Sequence, residues 1–281
     1  MWKMDGDDDM KKGCLKKCIL YLLAVVLAVI TIYPLLWVFC ASVSKTPQMG
    51  RISIIPVGFT VDRVVSLFTK YNFLTYFKNS FIYSFVATAF ALVFDSMAAY
   101  SFARLDYPGR DKIFGLFLAT MMVPFSIIMM PLYLMMRKLN LINTLFSLIL
   151  PNMAGAYGVF LLRQFYRGIP NELEEAGRVD GLSYWGIYKY IMLPLSKPIM
   201  LTLAVLSFKA NWNNYLWPTI VNGDEKTYVI SQGLSTFSSY NLTDWNSTLA
   251  GAAVSMLPII VIFIFFQKQL VEGIKLSGLK G

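Results

Sequence analysis

Six stretches of roughly 20 predominantly apolar residues, each long enough to cross a bilayer as one helix, impose the strongest constraint on this chain. They run over residues 19–40, 79–102, 113–136, 145–162, 199–220 and 249–266. Within hydrocarbon a helix satisfies its own backbone, so the runs predict an all-α integral membrane protein. Of the 281 residues, 57% are hydrophobic and only 15% charged. A soluble domain carries roughly 25% charged residues, and one core of this length could not hide so much apolar surface. The first run follows Lys11, Lys12, Lys16 and Lys17, the flank of a signal peptide. It is too long for a signal h-region, no A-x-A-like cleavage site follows it, and Phe39 before Cys40 does not suit lipoprotein processing. An uncleaved span is expected.

Charge sets the orientation. The chain has 25 Lys+Arg against 16 Asp+Glu, a net +9. With the N-terminus inside, sixteen of these cations fall on inner segments and eight on outer ones, with Lys209 inside the fifth span. That bias predicts both termini in the cytoplasm. It also accounts for the positive charge without nucleic acid, since no basic stripe with interleaved aromatics stands outside the spans. Tyr33, Trp37 and Trp217 fit interfacial belts. The sequence contains no histidine, and its three cysteines, Cys14, Cys18 and Cys40, form no Cys-x-x-Cys pair. His-based catalysis, a zinc site and a disulfide framework are therefore excluded, and no metal is expected.

The inner segment 163–198 is the most informative. Asn171 with Glu174 three residues later predicts a capping box, and Glu172, Glu174 and Glu175 suit a helix N-terminus. Glu174 and Arg178 are spaced for an i,i+4 pair. Gly181 suits a left-handed helix end, and Ser183 the cap of a second short helix that stops before Pro194. Leu173, Ala176 and Gly177 fall on one small face that another protein surface could approach.

The run Glu175-Ala176-Gly177, three residues, Gly181, nine residues, then Ile191-Met192-Leu193-Pro194 resembles the EAA signature of binding-protein-dependent ABC importer permeases. Gly177 replaces the second alanine. The region from Ser80 through SMAAYSFARLDYPGR, the NWNNYLWP run from Asn211 to Pro218, and the tail QKQLVEGIKLSGLKG are similar to the six-span permeases of the oligosaccharide group. The resemblance implies a type I importer permease of the MetI-like fold in a bacterial inner or sole membrane. It also implies a cytoplasmic tail (1–18), a first span (19–40), an outer loop (41–78), a permease core (79–267) with coupling helices at 171–194, and a cytoplasmic tail (268–281). Glu175, Ala176, Gly177, Asp180, Gly181, Ile191, Leu193 and Pro194 would dock on an ATPase subunit. The implied partners are a second permease, two ATPase subunits, an extracytoplasmic solute-binding protein and membrane lipid. The chain itself would be non-catalytic and bind no cofactor, with ATP and Mg used by the partner ATPase. Its one phosphate-loop-like string, Gly273 to Gly278, meets Leu279 where lysine is required and follows a span rather than a strand.

Polar residues inside spans are costly and mark function or helix–helix contact. Asn211, Asn213 and Asn214 suit either role, and Trp212 and Trp217 suit sugar stacking or anchoring. Asp95 and Lys209 lie at similar depth, roughly 12–15 Å from the cytoplasmic end at 1.5 Å per residue, which suggests an ion pair between spans two and five. The resemblance implies sugar import, with glycerol-3-phosphate or a polyol as the alternative substrate. An ion-coupled secondary transporter would want inverted repeats and midplane acids, and only Asp95 is present.

Overall fold

The computed structural model describes residues 5–46, 54–237 and 244–278. The ends of the two expected tails, and the outer stretches around Pro47 and Tyr240, lie outside the described residues. In chain order the helices are α1 (Asp5–Ser42), α2 (Asp62–Thr69), α3 (Phe73–Arg104), α4 (Arg110–Ala119), α5 (Phe125–Lys138), α6 (Phe146–Ile149), α7 (Ala156–Arg167), α8 (Glu172–Val179), α9 (Tyr184–Ile187), α10 (Leu193–Leu195), α11 (Lys197–Trp212), α12 (Leu216–Val221), α13 (Ile230–Ser235) and α14 (Trp245–Gly278). They divide into two compact units, Met1–Tyr71 with Phe237–Val254 and Asn72–Thr236 with Ser255–Gly281. In the first, α1 carries an apolar stretch of membrane-spanning length with no buried residue, as a lipid-facing helix does, while Ala41 and Ser42 at its end are buried. An isolated antiparallel bridge joins Ser44 to Phe59 beyond its end.

The second unit is organised on α3, against which α7 and α11 pack. The buried side of α3 is its small and polar side: Ser80, Tyr83, Ser84, Ala87, Thr88, Ala91, Asp95, Ser96 and Ala99. Its exposed side is large and apolar, with Phe81, Phe85, Phe90, Val93, Phe94 and Met97. This polarity is reversed from that of a water-soluble helix. Lipid solvates the phenylalanines, while small residues let neighbouring backbones approach and polar ones find partners. At the N-terminal end of α3, Asn79 donates to the carbonyls of Lys226 and Tyr228 at 2.8 and 2.9 Å. Ser80 Oγ accepts from the Ile230 N–H at 2.7 Å. Glu225 accepts from Tyr76 and Asn72, and those bonds hold its carboxyl below the usual carboxylate range.

Four helical runs are long and apolar enough to cross a membrane among the described residues, and six if each of two bent pairs counts as one. Three expected straight spans are broken. The third bends by 99° between Met122 and Phe125. Val123 is extended because it precedes Pro124, whose ring disfavours a helical residue before it. The fifth ends α11 at Trp212 and resumes at Leu216. Pro218 would clash with the Asn214 carbonyl in a continuous helix. That carbonyl is instead turned out and accepts from Ser231 Oγ at 2.7 Å. The fourth span is interrupted too, between Asn152 and Ala156.

A close helix contact depends on Gly158 of α7, where an added Cβ would lie 2.0 Å from Asp95 Oδ2 and 3.2 Å from Leu203 Cδ2. Gly158→Ala is expected to destabilise the detergent-solubilised protein by about 1–3 kcal/mol through overpacking. Gly115→Ala, whose Cβ meets nothing within 4 Å, should leave thermal unfolding unchanged or slightly raised. Equal melting of the two variants would contradict the packing assigned to Gly158.

Candidate functional site

The 171–195 segment folds as a compact knuckle. Helix α8 closes in a Schellman motif: the Leu182 N–H reaches the Gly177 carbonyl at 2.9 Å and the Gly181 N–H the Arg178 carbonyl at 3.0 Å. Gly181 has φ +80°, open to glycine at no steric cost. Ser183 caps α9 as expected, its Oγ accepting from the Gly186 N–H at 3.2 Å. The second helix does not stop before Pro194. It widens into a π turn over Tyr188–Met192 and continues through Pro194 to Leu195. The wider turn relieves the contact a proline makes with the preceding turn.

The expected capping box is absent. Asn171 is itself helical and its side chain caps nothing. It accepts instead from Arg104, the last residue of α3. Glu174 pairs with the same Arg104 rather than with Arg178, at 3.0 Å, with the two side chains only 7% and 8% exposed. Arg104 also donates to the carbonyls of Tyr166 and Ile169 at the end of α7. One guanidinium therefore joins α3, the C-terminus of α7 and the first turn of α8, using the planar fork that lysine lacks. Arg178 lies over the Tyr184 ring at 5.3 Å. Below the knuckle, Ser96 and Tyr188 share a hydrogen bond of 2.7 Å, and Tyr100 packs between Tyr166 and Tyr188.

The signature residues divide into two sets. Glu175, Ala176, Asp180, Gly181 and Pro194 are exposed, together with Glu172, Leu173 and Val179. Gly177 is buried, contrary to the outward face expected for it. A Cβ there would meet Ile191 Cδ1 at 2.7 Å, so its smallness serves α8 against the π turn. Ile191 and Leu193 are half-buried.

Inside the spans, Tyr83 is a hub. Its hydroxyl lies 3.2 Å from Asn211 Oδ1, 3.2 Å from Asn152 Nδ2 and 3.3 Å from Asn214 Nδ2. One proton and two lone pairs saturate it, so it ties both helix breaks to α3. The indoles of Trp212 and Trp217 are buried and satisfied by the carbonyls of Ser255 and Ser147 at 3.1 and 2.9 Å. They are anchors, and Trp217 is not an interfacial residue. Among these residues only Asn213 is exposed, and Asn214 is half-buried. The Asp95–Lys209 pair is not formed. Asp95 accepts from the Gly155 N–H at 2.8 Å, capping α7 from a neighbouring helix, while Lys209 is exposed. Sequence reasoning missed Arg104, Tyr83 and Asn152. It missed Arg163 too, which bonds the Phe102 carbonyl and Asp111 and covers the Phe114 ring. Arg104 and Arg163 read only as orientation charges. Their place at the ends of α3 and α7 was the available signal.

Among the described residues the chain is a set of membrane-length helices with broken spans and a folded knuckle after α7. Residues 96–276 match the family described as "Binding-protein-dependent transport system inner membrane component". The arabinooligosaccharides transport system permease protein AraQ of Halalkalibacterium halodurans is 36% identical over 91% of this chain and 93% of its own. The lactose transport system permease protein LacG of Rhizobium radiobacter is 32% identical over 88% and 90%. A bacterial ABC transporter that imports the acidic polysaccharide alginate contains a chain with TM-score 0.81 and 23% identity, covering 92% of this chain and 97% of that one. This chain belongs to the binding-protein-dependent inner membrane component family, in its carbohydrate ABC importer group. It is a non-catalytic, multi-pass permease subunit of the inner membrane, and permeases of this family bind no cofactor of their own.

Arg104→Met leaves the Glu174 carboxylate buried and alone, and is expected to cost about 3 kcal/mol or more in thermal unfolding. Glu174→Gln placed on top of it should cost little further. Fully additive losses would remove the ion pair as the joint.

Proposed function

We propose that this chain forms half of the translocation pore of an ATP-driven importer of oligosaccharides, together with a second permease, two ATPase subunits and an extracytoplasmic binding protein. The names of its relatives, arabinooligosaccharide and lactose permeases, support the substrate class. The excess of Lys and Arg on alternate segments supports cytoplasmic termini and a cytoplasmic knuckle.

The observation that carries the coupling role is the shape of the knuckle. Its outer face holds Glu172, Leu173, Glu175, Ala176 and Val179, all exposed. Its inner face is bound to α3 and α7 through Arg104 and Glu174. A surface open to a partner and a base gripped by the bundle is what a lever needs. An ATPase that closes on nucleotide moves α8, and the Arg104 joint transfers that displacement to α3 and α7. The path then alternates between inward- and outward-open states, a two-state equilibrium biased by nucleotide. Residues 171–194 act as coupling helices, with Glu175 and Gly181 at the docking surface and in the turn that shapes it.

Glu175→Lys reverses charge on the outer face without touching the buried joint. The variant should insert and assemble, lose sugar uptake in proteoliposomes of the whole complex, and leave the binding protein's sugar affinity by calorimetry unchanged. Normal uptake would remove the docking assignment. Transport by this chain reconstituted without the other subunits would remove the ATP-driven reading altogether.

A further inference from the structure

We propose that one face of α11 and its C-cap, formed by Leu206, Lys209, Ala210 and the cap residue Asn213, lines the translocation path, and that Lys209 there selects hydroxyl-rich ligands that also carry an anionic group, a carboxylate or a phosphate. The proposal rests on the importer reading above and adds a substrate chemistry to it.

The four residues follow the i, i+3, i+4, i+7 spacing of a single helix face. All four are exposed. The exposed face of α3 shows what lipid contact looks like in this protein: Phe81, Phe85, Phe90, Phe94 and Met97. The α11 face carries one large apolar residue, Leu206, beside a cation, a methyl group and a free amide. An amide or an ammonium turned to hydrocarbon is costly, so polar residues at span depth face a water-filled cavity or protein. Asn213 lies roughly 24 Å along the helix from Lys197 and Lys209 roughly 18 Å, both within the length of a span.

The neighbouring asparagines explain why Asn213 is available. Asn211 and Asn214 are turned toward Tyr83 and spent on its hydroxyl. Asn213 is exposed, and its side chain makes no hydrogen bond among the described residues. The same holds for Lys209: the four ion pairs among the described residues are Arg104–Glu174, Arg110–Asp106, Arg110–Asp111 and Arg163–Asp111. Asp95, the acid expected to neutralise it, is occupied by the Gly155 N–H. A primary amide donates to and accepts from sugar hydroxyls at once, and an ammonium one turn away offers three donors to an anionic oxygen. Uronate-bearing sugars and sugar phosphates share that pairing of hydroxyls with an anion.

Two measurements on the complete importer, with Cys14, Cys18 and Cys40 replaced by Ser, test the face and the chemistry separately. In the first, Lys209→Cys and Asn213→Cys are expected to react with a membrane-impermeant thiol reagent, while Phe85→Cys and Phe94→Cys do not. Labelling of the α11 pair no faster than the α3 pair overturns the path assignment, whatever the substrate. In the second, uptake is measured with a neutral oligosaccharide, a uronate-bearing oligosaccharide and a sugar phosphate. Lys209→Gln should lower kcat for the anionic ligand by about tenfold or more, the loss of one charge-assisted hydrogen bond, with Lys209→Arg retaining most of it. The anionic ligand whose kcat falls identifies the source. Wild-type uptake confined to neutral sugars, or an equal fall for neutral and anionic ligands, overturns the selectivity. Failure of the wild-type complex to take up any of the three, with labelling intact, strikes the importer reading rather than the face.

Discussion

Polar groups inside a bilayer have no water to turn to, and α3 answers that constraint for the second unit. Its side toward protein is small and polar, and each neighbour uses it differently. The break between α6 and α7 comes to Tyr83 through Asn152 and to Asp95 through Gly155. The break between α11 and α12 comes to Tyr83 through Asn211 and Asn214. Irregular backbone at membrane depth survives only where protein or an aqueous cavity satisfies it. Here Tyr83 and Asp95 of α3 supply several of the satisfying groups, and Ser231 supplies another at the α11–α12 break.

The two ends of α3 extend the same logic. At Phe73–Ser80 the side chains of Tyr76, Asn79 and Ser80 hold the segment that follows α12. At Arg104 a single guanidinium holds the C-terminus of α7 and the start of α8. Cations at helix C-termini are favourable for the partial charge there, and a nearly buried carboxylate is tolerated only beside its partner. Under the coupling role proposed above, a helix with a polar clamp at each end is suited to carrying a displacement from the knuckle toward the opposite end of the bundle.

Much of the knuckle was legible from local rules. Gly181 as a left-handed helix end and Ser183 as a cap depend on backbone geometry within a few residues, and both stand. The readings that failed were those in which a side chain had a choice of partner. Asn171 and Glu174 fit a capping box by spacing, yet a buried arginine nearly seventy positions earlier in the chain competes for both and wins, since a charged, desolvated pair outweighs a surface cap. Asp95 and Lys209 matched in depth but not in azimuth. Gly177 looked like an outward small residue because sequence spacing does not tell which neighbour will approach.

By itself the sequence determined that the chain crosses a membrane several times, roughly where each crossing lies, and where the knuckle turns. Those properties follow from hydrocarbon length, backbone satisfaction and the stereochemistry of glycine and proline, all of which act locally. Only the tertiary structure decided that spans three to five are broken, that Tyr83 and Arg104 are the points at which separate helices meet, and which asparagine is left open. These depend on which distant groups satisfy a buried donor or acceptor, and that is settled by packing in three dimensions rather than by position along the chain.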